Sequence, residues 1–199
     1  MFVPPYLIIR LTALLVSAGV FRFARTGMEG KKEVFSKGTT LLTTFFLVFF
    51  SSKLVTTFPM VLDYPVTVLS YPSGTLEFYI ASVAAAIHAF RLKLSKDELY
   101  GMTVLLSGSF FFYYIGSIII MEDNVLHELV IWFIIYAGSL LWKNYWSALF
   151  GSVMLAAGAV SLIVPVLDVM GVPVDAGYYF VIAAGVFIMG RGVFKWKRT

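Results

Sequence analysis

The chain has 199 residues, of which 60% are hydrophobic and 13% charged, against about 25% charged in ordinary soluble domains. So little polar surface cannot cover a water-soluble globule of this size, and the composition points to an integral membrane protein. The formal charge is +4, but the basic residues sit between apolar runs, where they set orientation against a membrane. Nucleic acid is therefore not expected as a partner. Cysteine is absent, which excludes disulfides, thiolate metal sites and a cysteine nucleophile.

A membrane-crossing helix needs roughly 17–25 mostly apolar residues. Measured against that length, spans are predicted near 5–24, 39–59, 75–90, 99–121, 126–142, 145–167 and 176–193. The third is the shortest and carries Glu77. The first differs from a signal peptide, whose positive charge precedes the apolar run. Here Arg22, Arg25, Lys31 and Lys32 follow it, so the segment is expected to remain and to enter with its N-terminus outside.

The connections alternate in charge. The first holds those four basic residues and Lys37, and the second, around Asp63, holds none. The third holds Arg91, Lys93 and Lys96, the fourth Glu122 and Asp123, and the fifth Lys143. The sixth has Asp168 and Asp175, and the tail has Arg191, Lys195, Lys197 and Arg198. Basic and non-basic connections alternate as the positive-inside rule requires of an odd number of spans. The expectation is an all-α bundle of seven transmembrane helices in one domain, N-terminus outside and C-terminus cytoplasmic, in the cell membrane. Small-residue stripes at Ala81, Ala85 and Ala89 and around Gly151 allow helices to approach closely.

That topology gives each polar residue a depth. Arg10 lies about a turn and a half inside the outer end of the first span and Lys53 about two turns below the outer end of the second. Glu77, Glu122, His127 and Glu128 also fall at outer ends. A cation at membrane depth costs roughly 2.5–3.5 kcal/mol on lenient scales and normally faces a partner or a wet cavity. Two cations and three carboxylates at similar depth therefore imply a polar cavity open to the outer leaflet. The plainer alternative has Arg10 and Lys53 snorkelling on their long stems and Glu122, His127 and Glu128 standing in loops. His88, three residues before Arg91, reads as an interfacial histidine. No metal-ligand spacing, phosphate loop or nucleophile elbow occurs, so neither a metal nor a cofactor is expected.

The order of short motifs nevertheless resembles a family. Arg10-Leu11-Thr12-Ala13-Leu14 is followed by Ala18-Gly19, and Ser51-Ser52-Lys53 lies in the second span. Ser73-Gly74-Thr75-Leu76 opens the third, and Tyr113-Tyr114-Ile115-Gly116-Ser117 precedes Glu122 by five residues. Leu126-His127-Glu128, the stretch from Gly151 to Gly158 and a start of the last span at Gly177 complete the series. This order is similar to that of the prolipoprotein diacylglyceryl transferases, seven-helix enzymes that move a diacylglyceryl group from phosphatidylglycerol to a lipobox cysteine. The chain departs from them in telling places. The family's histidine falls near Phe78 or Tyr79, its helix-4 arginine becomes Tyr114, and its helix-6 arginine and glutamate fall at Ser161 and Pro165.

The resemblance implies a divergent transferase acting on an outer-leaflet phospholipid and a lipoprotein precursor peptide. Arg10 and Lys53 would hold the lipid phosphate, and Glu77 or Tyr79, with Glu122 or His127, would take the proton from the substrate thiol. Gly116 and Glu128 would support them. Two alternatives stand beside it. One is a non-catalytic membrane subunit that binds lipid or lipoprotein and assists another membrane protein. The other is a small-solute transporter component, which would need a midplane site.

Overall fold

A computed structural model describes residues 5–24, 30–58, 74–163 and 167–190. Arg25, Pro59, Asp63, Ser73, Pro165, Arg191, Val193, Lys195, Lys197 and Arg198 lie outside the described residues. The described chain is overwhelmingly helical. In order it forms α1 (Pro5–Phe23), α2 (Lys31–Thr56), α3 (Thr75–Arg91), α4 (Lys96–Met121), α5 (Leu126–Leu141), a 3₁₀ turn (Lys143–Tyr145) and α6 (Trp146–Ser161). Two short strands follow, β1 (Leu167–Val169) and β2 (Val172–Val174), before α7 (Ala176–Gly190). Two of these helices, α2 and α4, are long and apolar enough to cross a membrane. Each has 26 residues, about 39 Å at 1.5 Å per residue, against a hydrocarbon core of about 30 Å.

Where helix is expected through Leu167, α6 ends at Ser161 and Leu167 opens an antiparallel hairpin. The reason is local. Met170 and Gly171 both take positive φ, 53° and 76°, the two-residue primed turn that matches strand twist. Pro173 on β2 lacks an N–H and belongs at an edge. The second predicted span also starts earlier than expected, because α2 begins at Lys31. That lysine's Nζ donates to the carbonyls of Phe21 at 3.0 Å and Ala24 at 2.6 Å, so a cation terminates α1.

Contacts gather the described chain into two compact units, one of Met1–Lys31 with Ser95–Thr199 and one of Lys32–Leu94. In the first, α1 packs on α4, α4 on α5, α5 on α6 and α6 on α7. Glycine permits each approach. A Cβ on Gly116 would stand 2.7 Å from Ile9 Cγ2, and one on Gly108 would stand 2.9 Å from Tyr136 Cε2. At the α6–α7 contact, Gly151 and Gly158 receive the rings of Phe187 and Phe180, each 2.8 Å from where a Cβ would sit. Ser17 adds a polar tie by donating to the Leu105 carbonyl at 2.7 Å. The start of α4 is set by a capping box, in which Ser95 Oγ accepts from the Glu98 N–H and Glu98 returns the bond to the Ser95 N–H, satisfying two free donors.

In the second unit α2 and α3 are tied by Thr44 Oγ1 and His88 Nδ1 at 2.7 Å, and Ala81 is fully buried on α3. Both units leave large apolar side chains outside, among them Leu15, Leu47, Val83, Ile119, Phe133 and Val181.

Replacing Gly116 by Val should drive a branched side chain against Ile9 and lower stability by about 1–3 kcal/mol. Thermal unfolding in detergent measures this, and an unchanged midpoint would mean that α1 and α4 do not approach so closely.

Candidate functional site

In the first unit the β1–β2 hairpin is seated by side chains from two helices, and β1 also packs on α5. Val169, Val172 and Val174 are buried, so the inner face of the hairpin supplies apolar contact. Its polar backbone is satisfied by three bonds. The Arg10 guanidinium on α1 donates to the Met170 carbonyl. The Tyr114 hydroxyl on α4 donates to the Asp168 carbonyl and accepts the Met170 N–H at 3.0 Å. Tyr114 itself has no exposed surface. At the tip, a side chain on Gly171 would begin 3.0 Å from the Tyr113 hydroxyl and 3.6 Å from Arg10 Nη2. Glycine is thus required both by the positive φ and by the closeness of these groups.

Two polar atoms in this cluster are buried without a hydrogen-bond partner, Arg10 Nε and Asp168 Oδ1. Burial raises the Asp168 carboxyl above the usual range for an aspartate, because the charged form loses water. Arg10 also lies 5.1 Å from the centre of the Tyr6 ring, within cation–π range.

In the second unit Lys53 on α2 and Glu77 on α3 are both buried, 4% and 7% exposed, and are near enough to attract each other. Thr56 Oγ1 donates to Glu77 Oε1, while Oε2 has no hydrogen-bond partner. Glu77 occupies the first turn of α3 with its carboxylate folded back over Gly74, where a Cβ would lie 3.2 Å from Cδ. The positive end of the helix dipole favours a carboxylate there. Two open concavities lie on α2. One is lined by Ser36, Thr39, Thr40, Thr43 and Thr44, the other by residues that include Ser51, Ser52, Thr56 and Ile80.

The residues singled out in the sequence therefore divide. Arg10, Gly116 and Glu128 belong to the first unit, and Lys53, Glu77 and Tyr79 to the second. Glu128 is buried at the start of α5 and lies within electrostatic range of Tyr114. Gly116 serves helix packing against Ile9. Glu122 is exposed and forms the left-handed C-cap of α4 at φ 57°. His127 is exposed at the start of α5, and Tyr79 is half-buried on α3. Among the described residues, no group of three or more histidines and carboxylates could hold a metal ion.

The residues that the sequence reading missed are those of the hairpin lock, Tyr113, Asp168, Met170 and Gly171, together with Thr56. The available signal was Val169-Met170-Gly171-Val172, apolar residues around a glycine turn. Compared with family models, with curated proteins and with solved structures, the chain matches none of them.

Tyr114→Phe should leave the Asp168 carbonyl and the Met170 N–H buried and unpaired, lowering stability by about 1–3 kcal/mol; an unchanged unfolding midpoint would mean the hairpin is not held there. Asp168 carries a separate pH signature. Its raised pKa means the folded state binds the proton more tightly than the unfolded chain, so stability falls as pH rises from the ordinary aspartate range through the raised value. Asp168→Asn should therefore raise the unfolding midpoint at pH 7, with the gain shrinking through the aspartate range and vanishing below about pH 3. A gain of equal size at both pH values would refute burial as the cause.

Proposed function

We propose that the chain is a multi-pass protein of the cell membrane, with seven spans and its N-terminus outside, that binds phospholipid or lipoprotein and assists another membrane protein without transferring lipid itself. The observation that carries this reading is the engagement of Arg10 by the Met170 carbonyl. A guanidinium that must first be uncovered from the protein's own backbone suits reversible holding of a phosphate better than the preorganised stabilisation of a leaving one. Exposed Leu, Ile, Val and Phe side chains on α1 to α7 suit a lipid-facing surface better than water. The two long apolar helices and the alternation of loop charge support the multi-pass reading.

A second reading, the divergent prolipoprotein diacylglyceryl transferase, is favoured by one specific feature. Lys53, Glu77 and Thr56 place a cation, a carboxylate and a hydroxyl together in an apolar setting. A lysine there can hold a phosphate as a point charge, and the carboxylate is a candidate base for a substrate thiol.

One pair of measurements separates the readings. The purified protein is incubated with membrane lipid extract and a lipobox peptide, and the peptide is followed by mass spectrometry. In parallel, the protein is isolated from its own membrane in mild detergent. The assisting role predicts no added lipid on the peptide cysteine and a second membrane protein at constant stoichiometry. A mass gain of one lipid moiety that Lys53→Ala abolishes would overturn it in favour of the transferase.

A further inference from the structure

The hairpin covers Arg10 without giving it a counter-charge. The guanidinium donates to a neutral carbonyl, its Nε is buried without a hydrogen-bond partner, and among the described residues no carboxylate is recorded in ion-pair contact with it. Two donors face the same tip, the guanidinium and the Tyr113 hydroxyl, while the Tyr114 hydroxyl gives its proton to the Asp168 carbonyl and accepts the Met170 N–H. This is a donor set suited to an oxyanion, filled by a peptide group that uses it only in part.

We propose that the β1–β2 hairpin is a displaceable plug, its Met170 carbonyl holding the place on Arg10 that a phosphate oxygen takes when the hairpin withdraws. The inference rests on the reading of the chain as a phospholipid-binding membrane protein. Its physical basis is a competition. A guanidinium–phosphate pair brings two opposite charges together and is often bidentate, which a single bond to a neutral carbonyl is not. Against them stands the burial of Val169, Val172 and Val174, which keeps the plug seated when no anion is present. The hairpin is small enough to move as a piece: two strands of three residues each, a size that has little stability of its own. Withdrawal frees the Tyr114 hydroxyl from two backbone groups and exposes a tip that can again bond to water.

The absence of cysteine makes the test direct. Val172→Cys on the inner face of β2, with Val174→Cys as a second reporter, is introduced into the full chain and reacted with a water-soluble maleimide. Labelling is timed in phosphate-free maltoside micelles alone, with phosphatidylglycerol, with diacylglycerol, and with inorganic phosphate. Ala183→Cys, buried on α7, reports opening of the whole bundle, and exposed Asp123→Cys reports reagent activity.

The plug predicts slow labelling in maltoside and a severalfold rise with phosphatidylglycerol, none with diacylglycerol, and loss of the response in Arg10→Gln. A rise with inorganic phosphate as well means that the free anion suffices; a rise with phosphatidylglycerol alone assigns the ligand to a lipid headgroup. Equal rates in all micelles, an equal response to diacylglycerol, a response that survives Arg10→Gln, or parallel labelling of Ala183→Cys each overturn the proposal. Lipid retained by the purified protein is extracted and weighed by mass spectrometry in the same samples. Retained phospholipid with unchanged labelling removes the plug and leaves the lipid-binding reading, whereas neither signal removes both.

Discussion

A short non-helical segment seated among apolar helices must have its backbone polar groups satisfied by protein, and that requirement organises the first unit. Each such group buried without a partner costs free energy comparable to a lost hydrogen bond. Here the need is met by two side chains on different helices. Arg10 takes the Met170 carbonyl, and Tyr114 takes the Asp168 carbonyl and the Met170 N–H. Both are long side chains that start on helix surfaces, so the hairpin can be held only if α1 and α4 lie together at one spacing. The glycines at 108 and 116 and the Ser17 bond set that spacing. Packing and polar satisfaction are thus one constraint: a residue at 116 that pushed Ile9 away would also carry Arg10, one position along, away from its acceptor.

The second unit meets a similar problem differently. A buried lysine is tolerable only with an opposite charge close by, and Glu77 is that charge. The carboxylate is in turn steadied by Thr56 and by the start of α3. Further along α2 the polar residues neutralise themselves, since Thr39, Thr40, Thr43 and Thr44 each donate to the carbonyl four residues back. Such bonds let hydroxyls sit on an otherwise apolar helix at little cost. His88 is brought in by Thr44 and needs no catalytic explanation.

Much of the helical order was legible because apolar runs of fixed length announce it. Composition and run length alone lead to helices that start at or within a few residues of Pro5, Thr75, Lys96, Leu126, Trp146 and Ala176. The hairpin was not legible. Its valines are as apolar as any helix, and the one distinguishing feature, a glycine following Met170, is common in membrane helices as well. Depth estimates singled out Arg10, Lys53 and Glu77, because a charge within an apolar run is conspicuous. They could not say what each charge meets: Arg10 meets a backbone carbonyl, and Lys53 and Glu77 attract each other, with Thr56 bonded to the carboxylate. Glu122 was singled out by its place five residues after Ser117, and the fold makes it an exposed left-handed helix cap.

Position 114 joins these points to the family resemblance. That resemblance expects an arginine where Tyr114 stands. An arginine carries only donors; it could serve the Asp168 carbonyl, but it has no lone pair for the Met170 N–H. A phenolic hydroxyl gives one bond and receives another, and the turn presents one acceptor and one donor, so tyrosine fits this hairpin where arginine does not. The change at 114 and the seated hairpin are therefore parts of one arrangement. Tyrosine at 114 adds no second cation beside Arg10 and fixes the strand turn that bonds to the guanidinium there.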